Sequence, residues 1–135
     1  TENLSIRPKM VDKRLRKGNG IRSEVIPPEY KGDEKPEILF VSWGSSKGSV
    51  EEATSQISSQ GVKTATLHFS QVWPMVPDQF LHHLERAKKV ICVESNATGQ
   101  LAQLVRRETG FFIEKRISRY DGLAITPQYI LRNLQ

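Results

Sequence analysis

The chain has 135 residues, with 20 Lys and Arg against 15 Asp and Glu, and it contains one cysteine. This length suffices for one hydrophobic core, so we expect a single domain with an appendage. A lone thiol excludes a disulfide framework, a cysteine zinc site and an iron–sulfur cluster held by this chain. No apolar run resembles a signal peptide or a spanning helix, so we expect a cytoplasmic protein with no membrane partner.

Residues 1–36 are predicted to form a basic lead-in segment, because they are poor in apolar residues and rich in Gly and Pro. Basic residues cluster between Arg7 and Arg22, where Asp12 is the one acid, and the piece PKMVDKRLRKGNG has helical character. Such an arm suits a nucleic acid, an anionic lipid surface or an acidic protein face, or else a solvated or partner-packed linker. It lacks the aromatic residues on which single strands stack, so no nucleic-acid partner is predicted. The segment begins at Thr1 without Met, and we expect a fragment of a longer protein.

Residues 37–135 alternate β-branched runs with amphipathic runs, a pattern typical of an α/β fold with a mostly parallel sheet between two helical layers. We expect right-handed crossovers, whereas the strand order does not follow from the sequence. The predicted elements are strands at 38–43, 63–68, 89–94 and 112–117, and helices at 49–60, 78–86, 99–108 and 127–134.

The loop GSSKGS follows the first of these strands and precedes a helix. Its backbone N–H groups and the helix dipole suit an anion such as a phosphate, and the alternative is a simple turn and cap. It is not a P-loop, since Lys47 precedes the second glycine instead of following it. The candidate ligand or domain-interface residues of this loop are Gly44, Ser45, Ser46 and Gly48.

A second polar loop ends the strand VICVE and opens the helix QLAQL. It offers one carboxylate without a neighbouring second acid or His, so binding or buttressing suits it better than acid–base catalysis. In the purely structural alternative, Asn96 or Thr98 caps the helix and Glu94 pairs with a loop amide. Both loops leave strand carboxyl ends, so we expect them to share one rim. The candidates of this loop are Glu94, Asn96, Thr98, Gly99 and Gln100.

The apolar loop VWPMVP at residues 72–77 cannot all fold inward, and Trp and Met are favoured at interfaces. We therefore predict a subunit contact through Trp73, Pro74 and Met75, with internal packing as the alternative. Cys92 is expected in the core. The adjacent His82 and His83 and the isolated His68 do not form a metal site, and we predict neither a catalytic residue nor a metal ligand in this chain.

Four segments in order and spacing resemble one family: WGSSKGSVEEA, LHFSQVWPMVPDQF, VICVESNATGQLAQLVRRETG and RYDGLAITPQYI. They are similar to the C-terminal domain of the alpha subunit of 2-oxoacid:ferredoxin oxidoreductases, the 2-oxoglutarate type especially. The lead-in MVDKRLRKGNG resembles the segment that precedes this domain. The resemblance covers nearly the whole chain.

The resemblance implies a transketolase C-terminal-like domain in an enzyme that oxidatively decarboxylates a 2-oxoacid, reduces ferredoxin and releases acyl-coenzyme A. It also implies that thiamine diphosphate, Mg²⁺ and the iron–sulfur clusters are held mainly by other domains or by the beta subunit, so the domain alone should be inactive. The two polar loops would pack on the pyrimidine-binding domain or line the coenzyme A approach. The alternative is an independent flavodoxin-like module that binds a phosphate-bearing ligand.

Overall fold

The structure is a computed structural model and describes residues 6–134. Short 3-10 turns at Gly44–Ser46 and Pro77–Gln79 precede the second and third helices. Across the described residues, no helix has both the length and the apolar character that a bilayer span requires. The elements in chain order are α1 (Arg7–Ser23), β1 (Glu29–Gly32), β2 (Ile38–Trp43), α2 (Lys47–Ser59), β3 (Thr64–Phe69), α3 (Leu81–Arg86), β4 (Lys89–Glu94), α4 (Gln100–Thr109), β5 (Lys115–Ser118) and α5 (Pro127–Arg132).

The strands form one sheet in the order β1-β3-β2-β4-β5. Strands β2 to β5 are parallel, and β1 pairs antiparallel with β3 at the edge. The chain moves from β2 to β3 on one side, and then crosses β2 to reach β4 on the other side. The strand order therefore reverses between β2 and β4, which is where open α/β sheets bind ligands.

Helices cover both faces of the sheet. One core joins α2 and α5 to the strand residues Phe40, Ile91, Val93 and Ile117. The other core joins α3 and α4 to Leu39, Val41, Leu67 and Cys92. Strands β2, β3 and β4 are buried on both faces, as interior parallel strands must be, so the predicted three-layer, mostly parallel α/β fold is confirmed.

Strand β1 is the element that sequence analysis missed. The strand has only four residues, EYKG, which are mostly polar and exposed, so it lacks the alternation of apolar and polar residues that predicts a strand. Nevertheless β1 pairs with four residues of β3, and its Tyr30 stacks on His83 of α3 with ring centroids 4.0 Å apart. The lead-in segment thus contributes an edge strand to the sheet of residues 37–135, while the division of the chain at residue 36 stays a prediction.

The end of β1 depends on a glycine. Gly32 has φ +121°, and a Cβ there would lie 2.7 Å from the Cα of Ala65. We expect Gly32→Ala to lower the free energy of unfolding by roughly 1–3 kcal/mol, because an L residue resists this backbone conformation. Urea denaturation of the chain measures the loss.

Gly48 provides the matched control, since it lies in α2 with open space around its Cβ position. Gly48→Ala should stabilise the chain by up to about 1 kcal/mol. Equal free energies of unfolding for Gly32→Ala and the parent chain would show that β1 is not integral to the sheet.

Candidate functional site

A cleft opens at the carboxyl edge of the sheet, between the loops that follow β2 and β4. The two loops diverge because α2 and α4 cover opposite faces. The cavity between them has a volume of about 340 Å³, and we name it the switch-point cleft. Its lining residues are Trp43, Gly44, Ser45, Ser95, Asn96 and Gln100. The structure therefore places residues of both sequence-predicted loops on one rim.

Glu94 lies beneath the cleft and is only 1% exposed. Its Oε1 accepts hydrogen bonds from Trp43 Nε1 at 3.2 Å, from Asn96 Nδ2 at 3.1 Å and from the backbone N–H of Leu101 at 2.6 Å. Its Oε2 accepts from the N–H of Ala102 at 3.3 Å and lies 3.5 Å from Cys92 Sγ. A carboxylate at the N-terminus of α4 is favoured by the helix dipole, and this one is fully engaged by its neighbours.

The rest of the second loop also supports α4. Asn96 Oδ1 accepts from the N–H groups of Gly99 and Gln100, at 2.7 and 3.1 Å. The backbone carbonyl of Thr98 accepts a hydrogen bond from Arg116 Nη1 at 2.8 Å. The hydroxyl of Thr98 does not cap α4. Gly99 has φ +67°, and a Cβ there would lie 2.8 Å from Cδ of Arg116. Only glycine fits at this position without displacing the arginine.

In the first loop, one serine hydroxyl supports the backbone and another faces the cleft. Ser46 is buried and donates to the carbonyl of Trp43 at 3.1 Å, whereas Gly44 and Ser45 are exposed at the cleft. Gly48 lies beyond the cleft, in the first turn of α2. Lys47 points away to Glu29, with Nζ 2.7 Å from Oε2. No side chain caps α2, and the 3-10 turn Gly44–Ser46 leads directly into it.

A pair that the sequence did not reveal lies on the α2 side of the sheet. Ser42 Oγ is 2.9 Å from His68 Nδ1, and both residues are buried. The two are register partners on β2 and β3, so only the strand order could have found them. Burial, with a smaller contribution from the charge of Lys47, lowers the pKa of His68 below its usual value.

The apolar loop before α3 divides between the core and the surface. Pro74 and Met75 are buried, and Met75 packs with the core on the α3 and α4 side. Trp73 is 54% exposed, with the Arg107 guanidinium 5.7 Å from its ring centroid. Of the three residues predicted for a subunit contact, only Trp73 therefore presents a surface to a partner.

The Trp73 surface is continuous with the switch-point cleft. A second cavity of about 430 Å³ runs along α4 and is lined by Gln100, Gln103, Leu104 and Arg107. Gln100 lines both cavities, and Arg107 reaches over Trp73. We name the cleft, this cavity and Trp73 together the carboxyl-edge surface.

The side chains at this edge do not fit a metal, a cluster or an acid–base pair. Both oxygens of the Glu94 carboxylate are already hydrogen-bonded by five neighbouring groups of this chain. The Cys92 thiol is buried, and burial, followed by the charge of Glu94, raises its pKa well above the usual value. Among residues 6–134, no three His, Cys, Asp or Glu side chains gather in a group that could hold a metal ion. The arrangement can bind or buttress.

Replacement of Glu94 tests its structural role. We expect Glu94→Gln to lower the free energy of unfolding by roughly 1–3 kcal/mol, because the amide nitrogen would face N–H donors. Glu114→Gln is the control: Glu114 is exposed, and its change should stay within about 0.5 kcal/mol. Urea denaturation distinguishes them, and equal midpoints would show that the Glu94 charge contributes nothing.

The lowered pKa of His68 predicts a pH dependence. His68 protonates more readily in the unfolded chain than in the folded chain. Its contribution to the free energy of unfolding is therefore complete above the unfolded-state pKa and is lost as the pH falls toward the folded-state pKa. The free energy of unfolding should therefore drop between about pH 7.5 and pH 5.5, and the drop should be smaller in His68→Gln. The pKa of His83 is also lowered, by burial and then by the charges of His82 and Arg86, so part of the drop should remain in His68→Gln. An unchanged slope in His68→Gln would contradict the account.

No family model matches the chain. The alpha subunit of 2-oxoacid:ferredoxin oxidoreductase 1 from Aeropyrum pernix is 38% identical over 96 residues, which is 70% of this chain. The chain spans only 15% of that relative's length.

Solved structures agree with that relative. A 2-oxoglutarate:ferredoxin oxidoreductase from Magnetococcus marinus, with 2-oxoglutarate, coenzyme A and succinyl-CoA bound, matches 98% of this chain with a TM-score of 0.85 and 27% identity. The match covers 23% of that protein's chain. A split-gene transketolase, 13% identical with a TM-score of 0.58, shares the fold, so the predicted transketolase-like domain is confirmed.

A shorter chain decides the family. The alpha chain of a probable 2-oxoacid ferredoxin oxidoreductase from Thermoplasma acidophilum is 31% identical, and the match covers 78% of this chain and 91% of that one. Its TM-score is 0.55. The resemblance that four sequence segments indicated is thereby confirmed, and the chain belongs to the family of 2-oxoacid:ferredoxin oxidoreductase alpha subunits.

Proposed function

We propose that the chain acts as the C-terminal domain of an alpha subunit whose enzyme oxidatively decarboxylates a 2-oxoacid, reduces ferredoxin and releases acyl-coenzyme A. The names of the relatives support this reaction, and the 2-oxoglutarate type is favoured by the Magnetococcus marinus structure. Because the chain spans a small part of most of these proteins, the reaction requires further domains and a beta subunit.

The domain's own role is docking, and the carboxyl-edge surface is the observation that carries this proposal. An indole that is 54% exposed, with an arginine over its ring, has the composition of an interface centre. The adjoining cleft is polar and held rigidly from below by Glu94. We place the pyrimidine-binding domain of the same subunit against this edge, with the coenzyme A approach along the cleft as the second use.

Cofactor chemistry belongs to the rest of the enzyme in this proposal. Thiamine diphosphate, Mg²⁺ and the iron–sulfur clusters would bind to other domains or to the beta subunit. Two facts support this division: the chain contains a single buried cysteine, and the buried carboxylate of Glu94 is occupied by donors of this chain. Ferredoxin and coenzyme A are partners of the whole enzyme, which we place in the cytoplasm.

A second candidate function rests on the position of the cleft. A glycine-containing loop at the uncapped start of α2, beside the sheet's switch point, resembles the anion sites of flavodoxin-like modules. An independent module of that kind should show a higher melting temperature with millimolar inorganic phosphate or flavin mononucleotide. An unchanged melting temperature of the purified chain in both solutions excludes this candidate.

The docking role predicts the effect of Trp73→Ala in the assembled enzyme. Truncation of a central interface Trp typically costs about 2 kcal/mol or more, so the affinity between this domain and its partners should fall at least about 30-fold. The 2-oxoacid- and coenzyme-A-dependent reduction of ferredoxin should fall with it at limiting subunit concentration. Because Trp73 is exposed in the chain itself, the free energy of unfolding of the isolated chain should change little.

Phe112→Ala is the matched control. Phe112 is 56% exposed and has Arg106 4.3 Å from its ring centroid, so it copies the chemistry of Trp73. It lies before β5, at the opposite edge of the sheet. The proposal expects Phe112→Ala to assemble and to reduce ferredoxin like the parent. Equal losses in the two variants, or none in either, would contradict docking through the carboxyl edge.

A further inference from the structure

Helix α1 lies outside both cores and carries a high density of unpaired positive charge. All of its described basic side chains are exposed, and none of the ion pairs or hydrogen bonds among residues 6–134 involves them. Asp12 is the one acid in the helix. The basic residues concerned are Arg7, Lys9, Lys13, Arg14, Arg16 and Lys17.

The same helix exposes large apolar side chains in two stripes. Val11 and Leu15, which are 42% and 63% exposed, lie one turn apart and form one stripe. Met10 and Ile21, which are 44% and 52% exposed, lie three turns apart on a second stripe, roughly 100° around the axis from the first. The described part of the chain covers neither stripe, and a helix normally buries its apolar residues against a neighbour.

Physical chemistry gives this helix little stability of its own. Lys9, Lys13 and Lys17 repel one another at i, i+4 spacing, and basic residues occupy the first turn, where the helix dipole disfavours them. Gly18 and Gly20 each cost about 1 kcal/mol relative to Ala, and no side chain caps the N-terminus. A helix of this composition depends on contacts from outside.

We propose that α1 is a docking helix whose occupant is an acidic protein surface of the remainder of the alpha subunit, packed against both apolar stripes. This inference rests on the proposed function, because it takes the chain to work within that subunit. The match to the Magnetococcus marinus enzyme spans nearly the whole chain, α1 included, and that enzyme's chain is about four times longer.

Two observations favour a protein over other anionic partners. A helix that lies on a membrane presents one continuous apolar face, whereas the charged Arg7 and Arg14 lie between the two apolar stripes of α1. A nucleic-acid backbone would neutralise the cations and leave both stripes in water. A protein groove with acidic walls satisfies both the charges and the apolar side chains.

The C-terminal end of α1 leads toward the surface already proposed for docking. After the helix, Ile26 donates its backbone N–H to Gln71 Oε1 at 3.1 Å, and Val25 accepts from Gln79 Nε2 at 3.2 Å. Both partners flank the Trp73 loop. The occupant of α1 and the occupant of the carboxyl edge can therefore belong to one continuous body.

Trypsin cleaves after Lys and Arg, so its rate of cleavage within α1 measures directly whether a partner covers the helix. We expect the isolated chain to be cut rapidly at α1, and the assembled enzyme to be cut there at least about 50-fold more slowly, because cleavage requires an uncovered and opened helix. Mass spectrometry of the fragments assigns the sites. Equal cleavage rates within α1 in the isolated chain and in the assembled enzyme would overturn the proposal.

Leu15→Asp separates docking from folding. Leu15 is exposed in the chain, so the variant should fold like the parent, while in the assembled enzyme cleavage within α1 should accelerate at least about 10-fold. Leu123→Asp is the control, since Leu123 is 61% exposed and lies outside α1. Acceleration by both substitutions, or by neither, would count against the stripe as a contact.

Charge reversal in α1 should stabilise the helix in the isolated chain and weaken its contact in the assembled enzyme. Lys9→Glu with Lys13→Glu should raise the helicity of the isolated chain by circular dichroism, because the N-terminal half of a helix favours acids. The same double variant should lose trypsin protection in the assembled enzyme, read at the remaining Arg14, Arg16 and Lys17 sites. Retained protection would show that the partner surface is not acidic.

Alternative occupants are separate outcomes. The isolated chain can be tested for binding to vesicles containing phosphatidylserine and to RNA. A protein occupant would be refuted if such binding is unaffected by Leu15→Asp and if α1 is not protected from trypsin in the assembled enzyme. The readout is independent of catalysis. Protection without 2-oxoacid oxidation would overturn only the proposed reaction, and oxidation with a rapidly cut α1 would overturn only the docking helix.

Discussion

The geometry of the carboxyl edge depends on one buried carboxylate. Glu94 ends the central strand β4, and a buried charge is costly unless donors surround it. The donors come from three places: the first turn of α4, Asn96 of the intervening loop, and the indole of Trp43 at the end of β2. One side chain thus fixes the angle between strand and helix and connects both walls of the switch-point cleft.

This anchoring accounts for the polar side chains that lie beneath the cleft. The carboxylate of Glu94 and the side-chain oxygen of Asn96 are turned inward and hold α4, and the hydroxyl of Ser46 donates to the backbone of its own turn. What remains at the surface is the polar side chains of Ser45, Ser95 and Gln100 in the cleft, together with an exposed indole and an arginine. Those features suit recognition of a neighbouring surface better than chemistry on a substrate.

The sequence predicted much of this architecture because parallel strands buried on both faces appear as continuous β-branched runs, as in ILFVSW and KVICVE. It also predicted that two loops share a rim, which the strand order then explained. Strand β1 was not predicted because an edge strand is stabilised by pairing and not by its own apolar pattern. Ser42 and His68 escaped because their contact depends on register. Pro74 and Met75 face inward because the loop folds over the core beside α3, which periodicity within the loop does not reveal.

Hydrogen–deuterium exchange on the assembled enzyme and on the isolated chain tests the central claim, that the carboxyl edge docks. Amides of residues 71–76 and 95–100 should exchange at least about 10-fold more slowly in the assembled enzyme, because a partner covers them. Amides of residues 111–114, at the opposite edge, should exchange at the same rate in both. Identical exchange at residues 71–76 and 95–100 in the two samples would contradict the account.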